Sequence, residues 1–282
     1  MGQILLHFDG DITRDHRVSL RTLGKGLFHL QAAINRAYLD TKYGEVWKGA
    51  RMAHEDYEAT EFWSRAPQEG GYIIDFINDS PLIKKTLTRM VRAISPATEK
   101  AKIQSLSNLG SLADQAALRA EQVSKGIIDP IHYESYLPTA SENPYGDRAI
   151  NKEIDMIASI VRTPGAGNSV VELGIGGEQS STFTFNRVSS ENFHQFISKR
   201  SLGEPLIFSV RVTELDHKNG TGTIFNISSS KQSKLHFAND FEFQSIKKYL
   251  GLPEPMHFLG CPIFEGGAYD AKAGDIFFLS LV

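Results

Sequence analysis

Residues 206–237 decide the reading: Leu206-Ile-Phe-Ser-Val-Arg-Val-Thr-Glu-Leu215, Asp216-His-Lys-Asn-Gly220, Thr221-Gly-Thr-Ile-Phe-Asn-Ile227, then Lys234-Leu-His-Phe237 after a serine-rich break. Leu206, Phe208, Val210 and Val212 alternate with Ser209, Arg211 and Thr213, the period of a half-buried strand. Asn219-Gly220 supplies a hairpin turn, because both residue types tolerate positive φ. Strands are expected at Gly222–Ile227 and Lys234–Phe237. A helix capped by Asn239 or Asp240 follows, with Glu242 in its first turn, Lys247 and Lys248 in its last, and Gly251 just beyond. Met256–Phe264 and Ile276–Leu281 complete a β-β-β-α-β-β order over about 80 residues, the order of an OB-type small barrel. An SH3-like barrel is the other closed arrangement of this size.

Upstream, Gln3–Asp9 is an apolar run stopped by Gly10, as in a buried strand. Ser19 is a candidate N-cap for a helix to Leu39, with Leu20, Leu23, Leu27, Leu30 and Ile34 on one face. Five such positions are too few for a coiled coil, so the stripe reads as core. Gly24 and Gly26 interrupt it and suit close packing against a neighbour. Glu58–Arg65 and Tyr72–Ile77 read as a hairpin across Ala66-Pro-Gln-Glu-Gly-Gly71. Residues 80–126 are helical in pattern, opened by Ser80-Pro81, broken at Pro96 and ended at Gly126. The Pro- and Tyr-rich stretch 129–146 reads as a linker or strapped loop. Ile150, Ile154, Ile157 and Val161 mark another helix. Val170–Leu173 pairs with Thr182–Phe185, and a short helix from Ser189 or Ser190 carries Phe193, Phe196 and Ile197. The expected fold is α+β, with an N-terminal β-α-β-β unit and helical segment in residues 1–200, an internal break at 129–146, and a barrel domain in residues 204–282.

Composition bounds the function. The chain has 282 residues, 41% hydrophobic and 22% charged, with 30 basic and 33 acidic side chains giving a net charge of −3. That balance is ordinary for a folded domain and does not suit a protein dominated by phosphate contacts. No apolar run reaches a membrane span, and Met1-Gly-Gln-Ile-Leu-Leu-His-Phe-Asp-Gly10 lacks the basic region and cleavage site of a leader, so no membrane association is expected. The single cysteine, Cys261, forms no internal disulfide, which points to the cytoplasm. The nine histidines show no pair at metal-ligand spacing, so no metal or cofactor is expected. One stretch departs from the average: between His217 and Phe237 lie Lys218, Lys231, Lys234 and two histidines, without an acid.

Four stretches resemble chemical signatures. Ile4-Leu-Leu-His-Phe-Asp9-Gly-Asp11-Ile-Thr13 resembles the first motif of haloacid dehalogenase-like phosphohydrolases. That resemblance implies Asp9 as nucleophile and Asp11 as general acid and base, with Mg²⁺ neutralising phosphate. The same family needs a parallel sheet and a late acidic pair, whereas Gly274-Asp275 is followed by Ile-Phe-Phe-Leu279. The competing reading is a strand end whose short carboxylates accept backbone N–H bonds. Val170-Val-Glu-Leu-Gly-Ile-Gly-Gly177 resembles the glycine-rich motif of S-adenosylmethionine-dependent methyltransferases, but a strand follows it where that motif opens a helix; Gly174–Gly177 is therefore expected to be a hairpin loop. Glu45-Val-Trp-Lys48 and Glu214-Leu-Asp-His-Lys218 resemble fragments of nuclease motifs.

In an OB barrel, strands two and three with the loops one–two and four–five form the ligand face. Here Phe225 and His236 are placed to stack and Lys218, Lys231 and Lys234 to meet phosphates, while Glu265, Asp270 and Asp275 would repel a nucleic acid. Leu6-His-Phe-Asp-Gly10, the Leu-rich helix with Gly24 and Gln31, and Pro67-Gln-Glu-Gly-Gly-Tyr-Ile-Ile-Asp75 resemble a bacterial two-domain family without an assigned activity. Its members open with a Phe-Asp-Gly strand, carry a Pro-x-Glu-Gly hairpin and end in a small β-barrel. The resemblance implies a bacterial or mobile-element protein from an anti-phage defence setting. The expected role is thus a non-enzymatic binding or assembly component whose barrel contacts single-stranded nucleic acid or a protein partner, with homo-oligomerisation left open. The alternative is the Mg²⁺-dependent phosphohydrolase.

Overall fold

The computed structural model describes residues 2–66, 71–103, 110–135 and 144–282. In chain order these form β1 (Gly2–Asp9), β2 (Thr13–Arg14), β3 (Arg17–Val18), α1 (Leu20–Tyr43), α2 (His54–Ala59), β4 (Trp63–Ser64), β5 (Tyr72–Asn78), α3 (Pro81–Ile103) and α4 (Leu112–Ser124). There follow β6 (Ile131–His132), α5 (Tyr145–Ala158), β7 (Val170–Gly176), β8 (Ser180–Phe185), α6 (Arg187–Ser198) and β9 (Arg200–Leu202). The last elements are β10 (Leu206–Asp216), β11 (Thr221–Asn226), β12 (Lys231–His236), α7 (Asp240–Ile246), β13 (Met256–Glu265) and β14 (Ile276–Leu281). No described helix is long and apolar enough to cross a membrane. The chain divides into two compact units, one of residues 1–46, 50–106 and 145–198, the other of 47–49, 107–144 and 199–282.

The first unit packs helices on an antiparallel sheet of order β4-β5-β1-β7-β8. Strand β1 alternates as its sequence requires: Ile4, Leu6 and Phe8 are fully buried against α1, α3 and α5. Both of its neighbours, β5 and β7, run antiparallel to it, so the parallel sheet implied by the phosphohydrolase motif is not the sheet that holds Asp9. Ser19 caps α1 by accepting from the Thr22 N–H at 3.1 Å, and Gly44 ends it with φ +73°. Of the expected stripe, Leu30 and Ile34 are buried and Leu23 and Leu27 partly so, but Leu20 is 85% exposed. Gly26 packs where a Cβ would sit 2.9 Å from Phe8, whereas Gly24 faces open space.

Four local expectations are corrected. Glu58 lies in α2, leaving only Trp63 and Ser64 to pair with Ile77 and Phe76; the Pro67–Gly70 turn is outside the described residues. Helix α3 runs through Pro96 instead of breaking there, because the buried face containing Met90, Val91, Ile94, Ala97 and Ala101 outweighs one lost hydrogen bond. Gly174 and Gly176 belong to β7, not to a loop. Their neighbour Gly177 is required by crowding: a Cβ there would meet the Lys84 carbonyl and the Thr88 hydroxyl of α3, each at 2.7 Å. Helix α6 begins at Arg187, earlier than expected, with Asn186 accepting from the Ser189 N–H at 2.9 Å.

The second unit is the barrel. Its strands pair in the order β10-β11-β12-β14-β13, and β13 returns to β10, closing a five-stranded cylinder. The β12–β14 contact is parallel, the others antiparallel, and α7 lies between the third and fourth strands. This is the Greek-key arrangement of an OB fold. Asn239 caps α7 and Gly251 follows at φ +73°. The interior stacks Phe258 between Phe208, 5.4 Å away, and Phe278, 5.5 Å away. The compact unit that holds the barrel also takes in residues 110–135. Leu112 and Ala116 of α4 pack on Leu202, Cys261, Ile263, Phe277 and Leu279, and β6 adds a parallel edge to β10. Of the Pro-rich stretch, residues 136–143 are outside the described residues. Truncating Phe258 to Ala is expected to cost about 3–5 kcal/mol, read as a lowered urea midpoint for the barrel's unfolding transition.

Candidate functional site

The outer surface of β10, β11 and β12 is built in rungs. Arg211, Phe225 and Gln232 lie opposite one another across the three strands; Glu214, Thr223 and Lys234 form the next rung, and Asp216, Thr221 and His236 the third. A β-bulge between Val212 and Glu214 makes this possible. Up to Val212 the even-numbered residues point inward; after the bulge Leu215 faces the core and both acids turn outward. One inserted residue reverses the alternation of everything beyond it. The period-two pattern continued past Val212 in the sequence gave no warning of this.

A cleft of about 340 Å³ opens on these rungs, lined by Lys48, Glu214, Asp216, Thr221, Thr223, Gln232, Ser233, Lys234 and Ala273 among others. Thr223 donates to Glu214 at 3.2 Å. Asp216 accepts from the Asn219 side chain at 2.5 Å and from its N–H at 3.1 Å; these bonds hold the Asp216 carboxyl below the usual carboxylate range. The turn carries positive φ only at Gly220, +57°, not at Asn219 as well. The two fragments that resembled nuclease motifs both reach the cleft, one through Lys48 and the other through Glu214 and Asp216.

The candidate binding residues separate. Lys234 lines the cleft, and Phe225 stands half-buried on the outer face beside Arg211. Lys218 is exposed on the turn between β10 and β11. Lys231 sits over the Trp47 ring at 4.6 Å, and His236 meets the Asp275 carboxylate at 3.3 Å; both are engaged within the unit. Phe237 turns to the core, 5.6 Å from Phe278. Sequence reasoning singled out Trp47, Lys48, Glu214 and Asp216 only within fragments resembling nuclease motifs and did not place them on the barrel face. The first two lie far from the barrel in sequence, and only long-range packing brings them to it.

The loop acids expected to repel an anion each have partners within the unit. Asp270 accepts from the backbone N–H groups of Lys48, Lys272 and Ala273, at 2.7, 2.9 and 3.1 Å. Glu265 accepts from Arg200 at 2.7 Å. Asp275 holds Lys48 Nζ at 2.5 Å as well as His236. Burial pushes the Asp275 carboxyl up, but the bonds from His236 and Lys48 outweigh it and hold it at about 2.

In the first unit, Asp9 accepts from the Gly10 N–H at 2.8 Å and Asp11 from the Asn168 N–H at 3.0 Å. These are the bonds of a strand end. Among the described residues no group of three or more His, Cys, Asp or Glu side chains is placed to hold a metal ion.

Because the Asp275 pKa is lower folded than unfolded, its contribution to stability is present above about pH 4 and lost as pH falls through 2. Asp275→Asn should therefore lower the melting temperature at neutral pH and flatten its decline between about pH 4 and 2, measured by thermal melts across pH. No family model, curated protein or solved structure matches the chain.

Proposed function

We propose that this protein is a non-enzymatic binding component whose barrel takes up single-stranded nucleic acid on the outer face of β10–β12. The observation that carries the reading is the Arg211–Phe225–Gln232 rung on the ligand face of an OB-type barrel. It sets a half-exposed aromatic ring between a guanidinium and an amide. Bases stack on such a ring whatever their identity, while a guanidinium meets phosphate or stacks in turn. Among the described residues the Arg211 side chain has no partner. Lys234 lies one rung away, and the neighbouring loop acids Glu265, Asp270 and Asp275 are bonded internally. Glu214 and Asp216 make the far end of the face unfavourable for a phosphate, so the strand's path favours the Arg211 end.

The phosphohydrolase alternative loses its support, since Asp9 and Asp11 act as backbone acceptors at the end of an antiparallel strand. The bacterial defence setting rests on the family resemblance alone.

Anisotropy of a labelled single strand titrated with the full chain tests the reading. Phe225→Ala should weaken binding by about fivefold to a hundredfold, the worth of one stacked base. Lys234→Ala should lower the dependence of affinity on salt by about one phosphate contact. Binding of the parent protein that ignores both substitutions would remove this face from consideration.

A further inference from the structure

The Asp9-Gly-Asp11 segment leads into a hairpin that the barrel reading leaves unexplained. Strands β2 and β3 are joined by a turn of only two residues, Asp15 and His16, with φ of +50° and +57°. Two consecutive left-handed residues are the mark of a type I′ turn, where Asn-Gly is the easy choice and neither Asp nor His is free of cost. The register places Arg14 directly opposite Arg17. Like charges in directly opposed positions destabilise a ladder. Thr13 and Val18 form the other rung, with Ile12 and Val18 packed on the core, so Arg14 and Arg17 occupy the solvent face. The exposed Arg21 follows in the first turn of α1. Among the described residues, none of these three arginine side chains has a hydrogen-bond or ion-pair partner.

The hairpin is also fastened at its base. The Ile12 N–H donates to Ser169 Oγ at 2.9 Å, Asp11 accepts from the Asn168 N–H, and Thr13 Oγ1 donates to the Gly10 carbonyl at 2.8 Å. The fit is close: a Cβ on Gly167 would fall 1.8 Å from the Asp11 carboxylate, and one on Gly10 2.7 Å from the Asn168 carbonyl. A repulsive pair held out by a rigid anchor is an arrangement that folding alone does not select. Asp9, Asp11 and Asp15 keep their charges nearby, but among the described residues none of them forms an ion pair with Arg14 or Arg17, and Asp9 and Asp11 each accept a backbone N–H instead.

We infer that the Thr13–Val18 hairpin contacts the phosphodiester backbone of a nucleic acid through Arg14 and Arg17, independently of the barrel face. Guanidinium groups match phosphate in a planar, two-bond geometry that an ammonium does not offer. A two-stranded ribbon has the width to enter the major groove of a duplex. All four residues from Arg14 to Arg17 are polar, which disfavours a lipid surface as the partner.

The test uses the full chain with a short labelled duplex and, separately, its single strand, each over a salt series. Arg14→Ala with Arg17→Ala should weaken binding about tenfold or more at low salt and reduce the slope of log affinity against log salt by about 2 on duplex. Arg14→Gln with Arg17→Gln should reproduce the loss, and both variants should melt no lower than the parent, since a repulsion has been removed. Loss on the duplex arm assigns the hairpin to a groove, and loss on the single-strand arm alone assigns it to an extended backbone; either supports the contact. Unchanged affinity and slope in both arms would overturn it, as would a parent protein that binds phosphatidylserine vesicles but neither nucleic acid. Phe225→Ala run in parallel separates the two readings: a loss there with none at the hairpin sustains the barrel face only, and the converse sustains the hairpin only.

Discussion

Strand β10 is hydrogen-bonded along both edges, to β11 on one side and β13 on the other. That double pairing closes the barrel, and the remaining features of the second unit depend on it. Closure leaves the Phe208–Phe258–Phe278 stack no route to solvent. It also fixes which surface of β11 and β12 is outside. Because β10 is longer than its partners and bulged after Val212, its inner and outer sets exchange partway along, placing Arg211, Glu214 and Asp216 on one face in successive rungs. A barrel without the bulge would bury Glu214 and Asp216 at a cost of several kcal/mol each. The bulge therefore decides the electrostatic gradient of the face as well as its shape.

The barrel was legible because its information is local. Each strand from Leu206 to Leu281 ends at its own turn signal, and α7 carries its cap and first-turn acids locally, although it ends at Ile246, so that Lys247 and Lys248 fall in the 3-10 turn that follows rather than in its last turn. What escaped were features decided by partners far away. Pro96 reads as a break until the buried face of α3 is counted on both sides of it. Glu58–Arg65 looks like a strand, yet Asp56 accepts from Lys42 at 2.5 Å and from the Ala53 N–H, and that cap makes His54–Ala59 a helix. Helix α4 has a sequence too polar to announce its partner, since one small face at Leu112 and Ala116 suffices to attach it to the barrel unit. Trp47 and Lys48 join the same unit through Lys231, Asp270 and Asp275. No pattern within ten residues of any of them predicts the meeting.

The candidate site was legible to the same extent and for the same reason. Lys234 and Phe225 fall on the expected face because a strand's alternation is a local property. Lys231 and His236 have the right residue types, but Trp47 and Asp275 claim them. Residue type states what a side chain can bind; only the fold states what it already binds. The same distinction weakens the repulsion expected of Glu265 and Asp275. Asp275, which holds a lysine and a histidine, contributes little unbalanced charge to its surroundings, whereas Asp270 keeps its charge but is fixed by three backbone N–H bonds.

Asp9-Gly-Asp11 resembles a catalytic motif, and in this fold it also makes a bend. A nucleophilic carboxylate needs an open approach and a cation to offset the charge of its substrate. Here one oxygen of each carboxylate accepts a backbone N–H, from Gly10 and from Asn168, and Gly10 takes φ +80° beneath the Asn168 carbonyl. Each of these constraints turns the chain sharply and holds it. A turn that tight immediately before Thr13 sets the direction in which the next hairpin projects. The chemistry that makes aspartate a good phosphate nucleophile, a short side chain with two strong acceptors, also makes it a good anchor for a bend. In this chain the acceptors face the backbone, and the unpaired positive charge lies a few residues further on, at Arg14 and Arg17.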